Sequence, residues 1–428
     1  TILPTRPLRE QRLLPHKCTR VYNTRDMPDA RDRFFRLCVL SHSCVIATNQ
    51  TLWARLAHDW PVDLTLLAPK AWGGLGGGSV RVQVAEGLEG RVSPLRVIPQ
   101  GHPNLHLWLG LGTELRRLAP DCLFLDEEPY SLAAAQVLLS GWARRAALVV
   151  YAKQNILKRH PWPLGAVERK VLAAAEGLVA VDAAAEEVLW AKGARAPVTV
   201  IPHAIDQALY SPGDATALRE RLGLRGFVVG YAGRLVAEKG VADLLEAVIG
   251  LAGQAQRTAP REPGDDGLGQ PDLSLLIVGD GPEREALRAR AEAALPGRVV
   301  FTGAVPHERV AEYYRCMDVL VLPSRTGQHW REQFGRTIIE ALACGVPVVG
   351  SDSGAVPATL SLTAGLSYPE GKVSALAELL ARLAASPGER AALAEKGRRR
   401  VLESFTTEAV AQALYAVAQE AVERRKKR

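Results

Sequence analysis

Two carboxylates, Glu332 and Glu340, stand eight positions apart in the segment Glu332-Gln333-Phe334-Gly335-Arg336-Thr337-Ile338-Ile339-Glu340. The pattern puts the first in a loop and the second a little over a turn into the helix that the loop opens, with Phe334-Gly335 at the helix start. A helix start offers unpaired backbone N–H groups and a partial positive charge, which suits a phosphate. A carboxylate just before it accepts hydrogen bonds from sugar hydroxyls, and one a turn inside reaches a ribose. The segment therefore suits a sugar joined to a nucleotide through phosphate. Spacing alone also permits a solvated loop Glu and an ordinary helix-surface Glu.

A second constellation lies upstream, in Gly230-Tyr231-Ala232-Gly233-Arg234-Leu235-Val236-Ala237-Glu238-Lys239-Gly240, where a strand meets a helix. Arg234 and Lys239 are five apart across a turn, so both can face one point. A diphosphate leaving group gains charge as its bond breaks, and two cations there stabilise the transition state more than the ground state. Arg grips two oxygens at once, while Lys acts as a point charge. The plainer alternative is a surface ion pair and a helix-start Lys. Further on, Gly279-Asp280-Gly281-Pro282 follows an apolar strand, and its glycines let backbone pass close to a nucleotide. It does not make a dinucleotide oxidoreductase, because Arg284 stands where the third glycine is required.

Taken in order, these segments resemble family 4 retaining glycosyltransferases, which have the GT-B fold of two Rossmann-like β/α/β domains facing a cleft. The stretch from Glu332 through Ala341-Leu342-Ala343-Cys344-Gly345-Val346-Pro347-Val348 is similar to the family's E-x7-E pattern, with Gln333 where Gly is usual. Gly233–Gly240 resembles G-R-L-x-x-E-K-G. Phe301-Thr302-Gly303-Ala304-Val305-Pro306 resembles the segment that brackets the base, with Val305 as its neighbour. Pro202-His203-Ala204-Ile205-Asp206 resembles the segment near the interdomain link, with Ala204 replacing a glycine. Ser351–Pro357 resembles the glycine-rich loop near the sugar, followed by Ala358 where Glu is usual.

The resemblance implies transfer from a nucleotide-diphosphate sugar to a hydroxyl by front-face substitution, with retained configuration and the leaving phosphate taking the acceptor proton. Arg234, Lys239 and Glu332 are the implied catalytic residues. Gly233, Gly279, Val305, Phe334, Gly335, Arg336, Thr337 and Glu340 are the implied donor-binding ones. Arg336 departs from the usual small residue and is read either as a third cation at the phosphates or as a surface pair. No metal is expected, since no D-x-D motif stands where one is needed, and no cofactor beyond a UDP-sugar or GDP-sugar co-substrate. The acceptor is a glycan, a lipid-linked molecule or a small molecule. The alternatives are an epimerase of the same fold, with Glu127 and Glu128 as its carboxylates, and a non-catalytic module that binds nucleotide sugar.

Both constellations need strands to present them. An alternation of apolar strands and amphipathic helices begins at Arg36 and restarts at Phe227, which implies parallel sheets with helices on both faces. The expected division is an extension over 1–35, an acceptor domain over 36–206, and a donor domain over 207–406 with a mobile insertion at about 252–272. Residues 407–428 form a helix returning to the first domain, with a basic tail. Val80–Val84 and Arg91–Ile98 read as an antiparallel pair. Loops at the carboxyl ends of parallel strands bind ligands, so Glu127, Glu128, Gln154 and Asn155 are candidates for acceptor or donor-sugar hydroxyls. Family members often carry His in these loops, and this chain does not.

Bulk properties agree. A length of 428 residues allows about two or three domains. The 47% apolar and 23% charged composition is that of a globular enzyme. The net charge of +7 favours an anionic partner. Nucleotide phosphate and anionic lipid come first, the latter for the tail Glu423-Arg424-Arg425-Lys426-Lys427-Arg428. Nucleic acid comes last, since no zinc finger or aromatic RNA-binding pattern is present. Six cysteines without a C-x-x-C pair read as reduced thiols. No apolar run has the ~18 residues of a span, and from Thr1-Ile2-Leu3-Pro4 no signal peptide is expected. A cytoplasmic protein, peripheral on the membrane face through its tail, is expected.

Overall fold

The computed structural model describes residues 20–21, 34–73, 78–258, 273–328 and 330–428. The first domain contains β1 (Arg20–Val21), β2 (Phe35–Leu40), β3 (Val62–Pro69), β4 (Ala71–Gly73), β5 (Ser79–Arg81), β6 (Val92–Leu95), β7 (Val97–Ile98), β8 (Leu107–Trp108), β9 (Cys122–Leu125), β10 (Ala147–Ala152), β11 (Gly177–Ala180) and β12 (Val198–Val200). Eight of these form one sheet in the order β1-β12-β11-β10-β9-β2-β3-β6, parallel throughout. The second domain contains β13 (Phe227–Ala232), β14 (Leu273–Val278), β15 (Val299–Phe301), β16 (Val319–Leu322), β17 (Val348–Ser351) and β18 (Leu366–Tyr368). They form a parallel sheet in the order β15-β14-β13-β16-β17-β18.

Strands β9, β10, β13 and β14 are buried along their whole length, as expected where helices cover both faces of a parallel sheet. Several helix starts are fixed by side chains that accept a backbone N–H from the first turn: Ser131 from Ala134, Asp182 from Ala185 and Thr406 from Ala409. In each sheet the strand order reverses once, between β2 and β9 and between β13 and β16. Crevices outside the carboxyl ends of strands at such reversals are where doubly wound sheets bind ligands.

The chain crosses between domains twice. Ile205 on the first crossing and Thr406 on the second make a parallel bridge, in which Ile205 N–H donates to Phe405 O and Thr407 N–H to Ile205 O. The helix Thr407–Lys426 then lies on the first domain, burying Val410, Leu414, Tyr415 and Val417. Tyr415 stacks near Trp60 and Phe35.

Four expectations are corrected. Val80–Val84 and Arg91–Ile98 do not pair with each other: β5 pairs with β4, β6 joins the edge of the main sheet beside β3, and β7 pairs with β8. The helix from Val241 does not end before 252 but runs to Thr258, while 259–272 lie outside the described residues. Within the 1–35 extension, Arg20–Val21 adds a strand to the edge at β12, and the other residues before 34 lie outside the described set. The basic tail is held by the protein itself. Arg425 and Arg428 donate to Glu176 Oε1 at 2.8 and 3.1 Å, and Arg424 donates to Glu176 O at 2.9 Å. Glu176 is buried at 1% exposure, so its charge is compensated by the last turn of the chain.

Candidate active site

The loops after β13 and β14 lie backbone against backbone. Gly233 N–H donates to Val278 O, Leu235 N–H to Asp280 O, and Gly279 N–H to Gly303 O. Gly279 has φ of +135°, and a Cβ there would lie 1.9 Å from Gly233 O. Its glycine is thus required by the neighbouring loop. Arg234 projects from this junction with an exposed side chain.

Lys239 ends the short turn Ala237–Lys239. Gly240 follows with φ of +64°, and a Cβ there would lie 2.0 Å from Pro323 O. This close packing sets the turn against the loop after β16, where Glu332 waits. Lys239 Nζ donates to Glu332 Oε2 at 2.5 Å, and Ser324 Oγ donates to the same oxygen at 2.9 Å. The Trp330 ring lies 5.0 Å from the ammonium. The backbone of Glu332 is fixed too: its carbonyl accepts Ala355 N–H and the side-chain N–H of Asn155, each at 3.0 Å. Gly354, in the glycine-rich loop, packs so close that a Cβ would lie 2.4 Å from Glu332 O.

The helix Arg336–Ala343 starts at Gly335 (φ +75°) with no side-chain cap. Thr337 Oγ1 is buried there without a hydrogen-bond partner among the described residues. One turn on, Glu340 accepts Tyr314 O–H at 2.9 Å, and Arg336 lies 3.5 Å from its other oxygen. Tyr314, Thr337 and Glu340 border a cavity of about 360 Å³ whose wall also includes Arg234, Gly279 and Val305. Gly233 is also on that wall; Lys239, Glu332 and Arg336 are not. Phe334 is buried elsewhere, with its ring 5.4 Å from that of His203 and 6.1 Å from that of Phe405. At Gly335 a Cβ would come within 2.9 Å of Ile338 and Leu322. Phe334 and Gly335 therefore shape the helix start from behind.

Across the cleft, the carboxyl ends of β9 and β10 carry the four acceptor candidates, and most are already engaged. Glu127 is fully buried and takes the His42 backbone N–H at 2.9 Å, with His42 Nδ1 2.8 Å from its other oxygen. Gln154 accepts Lys192 Nζ, which also pairs with Glu168. Asn155 spans to Glu332 as described. Glu128 accepts Lys153 N–H at 3.0 Å through one oxygen, and its other oxygen is buried without a partner among the described residues. Burial pushes its carboxyl up to about 7. Lys153 itself pairs with Asp126 at 2.6 Å.

Ser324, Trp330, Tyr314, His42 and His106 were not legible as site residues. Ser324 alone carried a signal, as a hydroxyl just past a buried strand end.

Residues 214–400 match the family model for glycosyl transferases group 1. That stretch of the second domain is similar to the group 1 glycosyl transferases. Over 268 residues it is 31% identical to 2-deoxystreptamine glucosyltransferase of Streptomyces kanamyceticus, covering 60% of this chain and 64% of the relative. Over 151 residues it is 40% identical to 2-deoxystreptamine N-acetyl-D-glucosaminyltransferase of Streptomyces fradiae, covering 35% and 32%. The chain thus spans between about a third and just under two thirds of these relatives. Among solved structures, Anabaena Alr3699/HepE in complex with UDP and glucose superposes with a TM-score of 0.64 at 20% identity, covering 90% of this chain and 99% of that one. Sucrose-phosphate synthase from Thermosynechococcus elongatus gives 0.63 at 20%, covering 91% and 100%. The two domains together form a GT-B fold.

Proposed function

We propose that this chain is a retaining glycosyltransferase that moves a sugar from a nucleotide-diphosphate sugar to a hydroxyl acceptor. The observation that carries the reading is Thr337. Its buried hydroxyl has no partner among the described residues, it stands in the first turn of an uncapped helix, and it faces a cavity that ends on Glu340. Backbone N–H groups, a helix dipole and a spare hydroxyl at one point make an anion site, and Glu340 sits a turn beyond it for a ribose.

In this reading the diphosphate lies at the helix start between Arg234 and Lys239. The ammonium of Lys239 exchanges Glu332 for a phosphate oxygen, and Glu332 turns to the sugar hydroxyls. As the bond from the anomeric carbon to the diphosphate oxygen breaks, the acceptor oxygen bonds to that carbon from the same face. Its proton passes to the leaving phosphate oxygen. The two cations then act on charge that grows in the transition state. UDP is the favoured nucleotide, since Alr3699/HepE was crystallised with UDP and with UDP-glucose. A GDP-mannose-dependent mannosyltransferase of Corynebacterium glutamicum, 31% identical over 221 residues, keeps GDP in the screen. The compartment we favour is the cytoplasm, because Cys38, Cys44, Cys122, Cys316 and Cys344 are free and buried. No described helix is long and apolar enough to cross a membrane.

The test is a screen of UDP-, GDP- and ADP-sugars for thermal stabilisation and slow hydrolysis. A ligand at 100 times its Kd stabilises the folded state by about 2.7 kcal/mol. A melting temperature that no nucleotide sugar raises refutes the proposal.

A further inference from the structure

Sugar transfer as proposed leaves one buried cluster unused. The strand-order reversal in the first sheet brings His42, just past β2, beside Glu127, just past β9, and the segment before β8 adds His106. Their ligating atoms lie within 4.8 Å of one another. We propose that His42, His106 and Glu127 bind a divalent transition metal of the zinc class.

The argument starts from His106. Its Nδ1 lies 3.0 Å from His102 O, and a carbonyl only accepts, so Nδ1 carries the proton. In the neutral ring Nε2 then presents a lone pair. That atom is buried and has no hydrogen-bond partner among the described residues. It points at Glu127 Oε1, 3.5 Å away, and both side chains are wholly buried. Glu127 Oε1 already faces His42 N–H and His42 Nδ1, each at 2.9 Å, but neither lies between it and His106 Nε2, where two lone pairs face each other without water and repel unless something positive separates them. Either a second proton sits on His106 or a cation does.

The geometry favours the cation. A proton shared between the two groups draws them to hydrogen-bond distance, near 2.8 Å, and they stand well beyond it. A tetrahedral ion with bonds of about 2.0–2.2 Å separates neighbouring ligand atoms by roughly 3.4 Å. His106 and Glu127 have that spacing. His42 Nδ1, 2.8 Å from Glu127 Oε2, joins them by opening about half an ångström. The His102 carbonyl fixes the tautomer of His106, as outer-shell carbonyls do for metal-bound imidazoles. Trp72 covers both rings, at 4.9 Å from His42 and 5.0 Å from His106, which keeps the site dry. The His42 side chain is 22% exposed and gives a path of entry and a fourth position. Two imidazoles and one carboxylate suit zinc, cobalt or nickel rather than magnesium. This inference does not rest on the donor reading, and the ion would order the acceptor side without touching the diphosphate.

The test uses the full, untagged chain, stripped with a chelator and dialysed against Zn²⁺ or Co²⁺. We expect one ion per chain by mass spectrometry, visible absorption bands from the cobalt form, and a higher melting temperature with zinc. Both responses should vanish in His106→Ala and in His42→Gln, whose site lies at the partly exposed edge and should fold normally. A folded wild-type chain that retains no ion and shows no cobalt bands overturns the proposal in favour of a protonated His106. Cobalt bands that persist in folded His42→Gln and His106→Ala chains overturn it too, by placing the ion elsewhere.

Discussion

Lys239→Met separates what the Lys239–Glu332 pair does for the fold from what it does for the reaction. The substitution keeps an unbranched side chain near Trp330 and removes the ammonium that stands 2.5 Å from Glu332 Oε2. Glu332 is then left with Ser324 as its side-chain donor. The two side chains of the pair are 22% and 11% exposed. Removing one partner of a fully buried pair costs about 3–5 kcal/mol, and an exposed pair is worth about 0–1 kcal/mol. This intermediate burial places the cost at about 2 kcal/mol. For a domain of this size that lowers the melting temperature by about 4–8 °C. Adding Glu332→Gln removes the stranded charge, so the double variant should recover most of that loss. Activity should not follow. Loss of one preorganised group at developing charge costs roughly 10²–10³ in rate, and the double variant should be no faster than either single one. Thermal unfolding and sugar transfer, measured on all four proteins, form a complete cycle. The reasoning is refuted if Lys239→Met melts like the wild type, if the double variant melts below both singles, or if Lys239→Met turns over normally.

Thr337→Val should leave the melting temperature unchanged or raise it, because an unpaired buried hydroxyl costs about 1–3 kcal/mol. It should weaken nucleotide-sugar binding about tenfold, and titration calorimetry reads that directly. Ending the chain after Glu423 strips the cations from the buried Glu176 and should cost about 3 kcal/mol. Glu176→Gln in the shortened chain should restore part of the loss in a denaturant titration. Burial, reinforced by Lys153 and Arg336, pushes His203 down to about 3. The unfolded chain therefore takes up a proton there near pH 6.5 that the folded chain refuses. Stability should fall as pH drops from about 6.5 towards 3, and His203→Gln should flatten that slope in urea titrations at stepped pH.

The grouping of residues in the second domain was legible because it is local. Arg234 and Lys239 flank one turn, Glu332 and Glu340 flank one helix start, and a strand's apolar run announces each. The grouping in the first domain was not. Glu127 and His42 are 85 positions apart, so no spacing rule joins them, and His42 and His106 come from elements other than the loops singled out in the sequence. Alternating residues at Val80–Val84 and Arg91–Ile98 identified extended chain but not its neighbour, since pairing is decided by which edge lies free. The helix past Leu251 persists because Ala, Gln and Arg favour helix even where apolar periodicity fades. A count of cations in the tail could not reveal Glu176, which sits 249 positions from Arg425.

Phe334 shows what the two interdomain passages imply for motion. Its ring is wedged between His203, on the outgoing thread, and Phe405, on the returning one, and those threads are stitched together by Ile205 and Thr407. Two threads stitched side by side resist twisting more than two separate ones would. Because the wedge stands two residues from Glu332, any shift of one thread against the other would be felt at that carboxylate.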